Sequence, residues 1–70
     1  MARSGKIKFY SPVRAYGFVV DNDNGCEYFF TPEDFSEYVS KNDDVMYDLI
    51  QTHKGTRATN IVKVEKYGKD

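Results

Sequence analysis

Charged and apolar residues alternate along Gly5-Lys6-Ile7-Lys8-Phe9-Tyr10, and Ser11-Pro12 interrupts the pattern. Alternation of period two predicts a first strand over 5–10, with a turn or short loop running to Ala15. Tyr16-Gly17-Phe18-Val19-Val20 is aromatic and β-branched and reads as a second strand, closed by the turn formers Asp21-Asn22-Asp23-Asn24-Gly25. Cys26-Glu27-Tyr28-Phe29-Phe30-Thr31 reads as a third, so the first half of the chain predicts an antiparallel meander. Pro32 stops it. Over 32–39, Thr31 can cap a helix, Pro32 suits its first position, and Glu33 and Asp34 favour its positive end. With Phe35, Tyr38 and Val39 at helical spacing, one or two helical turns are expected there. A polar loop over 40–43 leads to a fourth strand over 44–51, with Val45, Tyr47 and Leu49 on one face. His53-Lys54-Gly55 turns into a fifth strand from Thr56 to about Lys66, and residues 67–70 should fray.

Five short strands in an open sheet would leave two unpaired edges, a hazard that closure removes. The expected fold is therefore all-β: a small five-stranded antiparallel barrel of the OB type, with one short helical turn between strands 3 and 4. There is no internal repeat and no second helical pattern, which excludes a β-α-β-β-α-β arrangement. The 70 residues amount to one domain spanning 1–70, with its core over 5–66. A chain this short buries only about 60% of its unfolded surface, so its core must be compact. No apolar run reaches the length of a membrane span and Met1-Ala2-Arg3-Ser4-Gly5 leads into no signal-peptide core, so a cytoplasmic protein without a membrane partner is expected. A single cysteine, Cys26, and a single histidine, His53, provide neither an internal disulfide nor a zinc ligand set.

The formal charge of −1 conceals an uneven distribution. Residues 1–20 carry +4, residues 21–48 carry −8 and residues 49–70 carry +3. Either the surface is simply mixed in sign, or the basic first and last thirds meet as one basic surface. Aromatic placement bears on the choice. On strand two, alternation puts Tyr16 and Phe18 on the face opposite Gly17 and Val19. On strand three, Phe29 faces outward with Glu27 and Thr31 if Tyr28 and Phe30 fill the core. For any single Phe a core position is the default. Six tyrosines and five phenylalanines cannot all fit inside so small a barrel, however, and several must lie on its surface. Exposed rings on adjacent strands suit the bases of single-stranded nucleic acid, whose stacking is worth about 1 to 3 kcal/mol per base.

These segments together resemble the cold-shock domain family. Gly5-Lys6-Ile7-Lys8-Phe9-Tyr10 is similar to the family's first strand, Gly-Lys-Val-Lys-Trp-Phe, and Arg14-Ala15-Tyr16-Gly17-Phe18-Val19 to its first ribonucleoprotein motif, Lys-Gly-Phe-Gly-Phe-Ile. Tyr28-Phe29-Phe30-Thr31-Pro32 stands where the family has Val-Phe-Val-His-Phe, and Gly55-Thr56-Arg57-Ala58-Thr59-Asn60-Ile61 where it has Gly-Pro-Gln-Ala-x-Asn-Val. The four matches follow family order and spacing over Gly5 to Val62. The resemblance implies an OB-type barrel whose outer face stacks bases on Phe9, Tyr16, Phe18 and Phe29, with Lys8 and Lys6 near phosphates. Arg14, Lys54 and Arg57 lie in segments that such a barrel brings near the aromatic face. Strict alternation instead groups Phe9 with Ile7 in the core, and a bend at the end of the first strand would reconcile the two readings. Tyr10, Tyr28, Phe30, Tyr47 and Ile61 are expected in the core or at its edge.

Three departures from the family stand out. Thr31 and Pro32 replace a His-Phe pair and remove two rings; the connection to strand four is short, leaving Phe35 or Tyr38 as substitutes for a loop Phe; and Ala15 replaces a glycine. They suggest a divergent or virus-encoded relative. An enzyme is not expected: Cys26, read as a buried or inert thiol, has only surface His53 as a base, and no glycine-rich phosphate loop occurs. The acidic pairs Glu33-Asp34 and Asp43-Asp44 read as solvated charge. The expected partner is single-stranded RNA or DNA, with no small-molecule cofactor, in a nucleic-acid chaperone or expression regulator. The alternative is a protein-interaction module on the same fold. Exposed edge strands allow a monomer or a weak homodimer.

Overall fold

The computed structural model describes residues 2–64. Its strands are β1 (Arg3–Ser11), β2 (Tyr16–Asp21), β3 (Glu27–Phe30), β4 (Asp44–Thr52) and β5 (Gly55–Lys63), and they close into a barrel in the order β1-β2-β3-β5-β4. β1 pairs antiparallel with both β2 and β4, β2 with β3, and β4 with β5. The seam between β3 and β5 is parallel, with Phe29 opposite Arg57, so the expected antiparallel barrel closes through one parallel pair. Parity requires it. In a closed ring of five strands the directions cannot alternate all the way round, and one neighbouring pair must run the same way.

The expected helical turn shrinks to a single 3₁₀ turn, Pro32–Asp34. Phe35 returns to an extended conformation, with φ −135° and ψ 152°, and bridges Ile61 of β5. Val39 is fully buried, whereas Tyr38 remains 62% exposed. The apolar spacing over 35–39 that resembled a helix thus belongs to an extended crossover held down at Phe35 and Val39. The tail expected to fray, 67–70, and the end of strand five as read from the sequence lie outside the described residues.

The core consists of Ile7, Val19, Phe30, Val39, Val45, Tyr47, Ala58 and Ile61, with Tyr10, Tyr28, Phe35 and Leu49 packed against it. Alternation accounts for most of this set: Val45 and Tyr47 point inward from β4, and Val19 from β2. Gly17 is required where β2 crosses the Phe30 ring. A Cβ there would lie 2.3 Å from the Phe9 carbonyl oxygen and 2.7 Å from Phe30 Cζ.

Asp21, read from the sequence as the start of a turn, is the last residue of β2 and is buried. Its carboxylate accepts hydrogen bonds from Arg3 Nε at 2.7 Å, the Tyr47 hydroxyl at 2.5 Å, and the backbone N–H groups of Asp23 at 2.8 Å and Asn24 at 3.2 Å. One carboxylate therefore ties β1, β2, β4 and the following turn together. The Arg3 guanidinium holds the Asp21 carboxyl well below the usual carboxylate range, although burial opposes the shift. Burial, followed by the bond to Asp21, pushes the Tyr47 phenol above its ordinary value.

Phe30→Ala should destabilise the barrel by about 3 to 5 kcal/mol, enough to unfold a marginal domain, because it empties a buried aromatic site. Phe29→Ala should leave the fold intact. Urea denaturation of the two variants checks the register, and the reverse pattern would mean that the faces of β3 are exchanged.

The lowered pKa of Asp21 makes a second prediction. A carboxyl depressed in the folded state contributes its full stability above its unfolded pKa of about 3.9, and loses that contribution as pH falls through the folded value. Stability of the native protein should therefore decline on acidification below about pH 4. Asp21→Asn should be less stable at pH 7, since it removes the charged acceptor that the buried Tyr47 hydroxyl and the Asp23 and Asn24 N–H groups share, and should decline less on acidification. Parallel slopes for the two proteins from pH 7 to pH 2 would show that Asp21 is not the titrating group.

Candidate nucleic-acid interface

A single irregularity in β1 builds the aromatic face. Ile7 pairs with Val19, but the next paired residue, Phe9, meets Phe18, so Lys8 is an extra residue in the ladder. Such a bulge reverses the alternation beyond it and bends the strand. Ile7 accordingly stays fully buried while Phe9 is 40% exposed, which reconciles the two sequence readings of Phe9. Opposite it, Tyr16 and Phe18 are half-buried, and Phe29 on β3 is 39% exposed.

The four rings form one group. Tyr16 lies 5.7 Å from Phe9, 6.0 Å from Phe18 and 5.9 Å from Phe29, nearly parallel to the last at 25°. Phe18 and Phe29 meet edge to face at 6.0 Å. The register strings Phe9, Phe18, Phe29 and Arg57 into one row across four strands, and Arg57 is followed on β4 by Ile50, 39% exposed. Ile50 was not singled out in the sequence, because its place opposite Arg57 is set by the pairing of β4 with β5, whose register shifts at an extra residue of β5 between Thr59 and Val62.

A second aromatic group surrounds Tyr10, which lies 5.8 Å from Phe30, 5.4 Å from Phe35 and 6.1 Å from Tyr38. Of the two substitutes for a missing loop ring, Phe35 thus packs against the core, whereas Tyr38 meets Tyr10 edge-on and remains exposed.

The five bases fall at three places around the platform. Arg14 is exposed in the β1–β2 turn, two residues before Tyr16. Lys54 and Arg57 line a cleft of about 290 Å³ together with Phe29, Thr52, Gly55 and Thr56. Lys6 and Lys8 line another of about 340 Å³. The basic outer thirds do not, however, merge into one basic surface. Lys8 Nζ pairs with Glu27 at 2.7 Å, Lys6 Nζ with Asp44 at 3.1 Å and Arg57 with Asp34 at 3.2 Å, so carboxylates of the acidic middle interleave with the bases. The exposed Lys6 and Lys8 pairs contribute little to stability, but they offset the local field.

Asp34, read as solvated, is buried. One of its carboxylate oxygens accepts from the Thr31 N–H at 2.9 Å and the Thr31 hydroxyl at 3.3 Å, and the other accepts from Arg57. The Nε–H of Arg57 is buried and has no hydrogen-bond partner among the described residues. Where the resemblance leads one to expect His-Phe, Thr31-Pro32 instead forms a clasp for Asp34, and Asp34 in turn fixes Arg57 beside Phe29. Cys26 is exposed, not buried, and so is His53.

No protein-family model and no curated protein matches the chain. A solved structure does: the cold-shock domains CSD456 of Drosophila Unr superpose with a TM-score of 0.78 at 18% sequence identity. The match covers 100% of this chain and 29% of that one, so the chain spans less than a third of the length it matches. The bulged first strand, the outward aromatic row and the short crossover all sit within this shared architecture, and the chain has the fold of a cold-shock domain.

Proposed function

We propose that the outer face of the barrel binds single-stranded RNA or DNA by stacking bases on Phe9, Tyr16, Phe18 and Phe29, in the manner of a cold-shock-type nucleic-acid chaperone or expression regulator. The observation that carries this reading is the contiguous four-ring group, turned outward by the bulge at Lys8 and left partly exposed. Each base offers a π-face whatever its identity, so the platform suits sequence-tolerant binding. Arg14, Lys6, Lys8, Lys54 and Arg57 border the rings and serve the phosphates. Ligand phosphates compete there with Glu27, Asp44 and Asp34, which leaves stacking as the main source of affinity. The same ion pairs favour a second reading, in which a protein surface with its own aromatic or apolar residues covers the rings. Titration of oligothymidine, followed through the Tyr and Phe resonances, separates the two: shifts confined to the four-ring group support nucleic-acid binding, and no shift supports the protein partner.

Phe18→Ala and Phe29→Ala should each weaken oligothymidine binding by about 1 to 3 kcal/mol without unfolding the domain. Fluorescence anisotropy on folded variants checks this, and unchanged affinity in both would remove the platform from the mechanism.

Charge bounds the footprint. With about three to five phosphate contacts, and a slope of roughly −0.7 per contact on single strands, log affinity against log salt should fall with a slope near −2 to −3.5. Duplex DNA hides its base faces and should bind much more weakly. Arg14→Ala should make the slope shallower by less than one unit and weaken all sequences about equally. A slope steeper than about −5, or equal affinity for duplex and single strand, would assign the binding to phosphates and sink the stacking mechanism.

A further inference from the structure

Lys41 is the lone base in a stretch with nine acids, residues 21–48, and nothing in that setting marks it for binding an anion. The fold changes its surroundings. The Ser40 N–H donates to the Asp43 carboxylate at 2.8 Å and the Asp43 N–H to the Ser40 carbonyl at 3.1 Å, while Asn42 takes a positive φ of 72°. This tight turn is stitched to β1 at the bulge: the Asn42 N–H donates to the Ile7 carbonyl at 2.8 Å, and the Ile7 N–H to the Asp43 carbonyl at 2.9 Å. Lys41 is thereby brought to the same cleft as Lys6 and Lys8, a space of about 340 Å³ also bordered by Val20 and the amides of Asn22 and Asn42.

Within that cleft Lys6 and Lys8 already have carboxylate partners, Asp44 and Glu27. The Lys41 ammonium has none among the described residues, and neither does the Asn42 side-chain amide make a hydrogen bond there. Three ammonium groups and a free amide donor around one space favour an oxyanion with several acceptor atoms. The position of the cleft identifies which one. Its apolar wall, Val20, lies on β2 two residues beyond Phe18, about 7 Å along the strand. That is a single nucleotide step for an extended strand whose base rests on Phe18. Resting on the base-stacking reading above, we infer that Lys41, together with Lys6 and Lys8, holds a backbone phosphate of the bound single strand, one nucleotide beyond the base stacked on Phe18.

The test compares fluorescein-labelled trithymidine, short enough to be covered by the rings alone, with heptathymidine, long enough to reach the cleft. Lys41 is exposed, so Lys41→Gln should fold normally. It should weaken heptathymidine binding about three- to tenfold at low salt and make the salt slope shallower by about 0.7, one phosphate contact, while leaving trithymidine unchanged. Lys66→Gln makes the same change in net charge outside the described residues and should have a much smaller effect on either oligomer. An equal loss for both lengths, no loss for heptathymidine, or a loss matched by Lys66→Gln overturns the inference. Heptathymidine binding that is weakened by Phe18→Ala but indifferent to Lys41→Gln sinks the cleft and leaves the platform standing. Failure of the native protein to bind either oligomer removes both.

Discussion

One extra residue in the first strand, Lys8, decides which side of the barrel the neighbouring rings occupy. Without it, period-two alternation would carry Phe9 inward with Ile7, into a core already filled by Phe30 and Tyr47. With it, Phe9 turns outward and pairs across the ladder with Phe18. The added bend also helps so short a sheet to curl upon itself. Beside the bulge the strands press together at Gly17, where only the absence of a Cβ lets the Phe9 carbonyl and the Phe30 ring approach. The inward Phe30 and the outward Phe9 are thus two consequences of one local geometry, so the stability of the core and the shape of the platform are set together.

The acidic middle of the chain works as distributed counter-charge. Each of these ion pairs among the described residues joins a base from the outer thirds to an acid from the middle: Arg3 to Asp21, Lys6 to Asp44, Lys8 to Glu27, Arg57 to Asp34 and Lys63 to Asp43. Two of the acids, Asp21 and Asp34, are buried, and a buried carboxylate must be met by several donors or its desolvation is uncompensated. Both are. Asp21 gathers four donors at one end of the barrel, and Asp34 gathers three at the crossover. These two act as structural ties, whereas the exposed Lys6 and Lys8 pairs restrain the field around the rings.

What was legible in the sequence follows from the range of the interactions involved. β2, β3 and β4 are written in alternation and turn residues, and the sequence places their ends within about two residues of those observed. The inward set Val19, Phe30, Val45 and Tyr47 follows from the same periodicity. The extra residue at Lys8 is invisible to periodicity, because a bulge is defined by the partner strand; only the family resemblance put Phe9 on the outer face. The short helical turn expected between strands 3 and 4 is present at Pro32–Asp34, but it extends no further for a similar reason. Phe35, Tyr38 and Val39 have helical spacing, but Phe35 is taken by Ile61 and Val39 by the core, contacts that no local pattern encodes. The burial of Asp21 and Asp34 depends on Arg3, Tyr47 and Arg57, far away in the chain, so both carboxylates look solvated until the barrel closes. The parallel seam, by contrast, was implicit in the strand count, since five strands in a closed ring require it.

Thr31-Pro32, standing where the resemblance leads one to expect His-Phe, does more than leave two rings out. Thr31 binds Asp34 through its N–H and hydroxyl, Pro32 begins the 3₁₀ turn that presents Asp34, and Asp34 anchors Arg57 opposite Phe29 on the parallel seam. The aromatic surface is therefore shortened at the end of β3 and continued sideways, across β5 to Arg57 and β4 to Ile50. A guanidinium can lie flat against a base as a ring does, and it adds a fixed charge that a ring lacks. The clasp holds that group through a carboxylate partner that is itself buried and hydrogen-bonded to Thr31. The exposed row thus crosses the parallel seam from Phe29, with a held cation between that ring and Ile50.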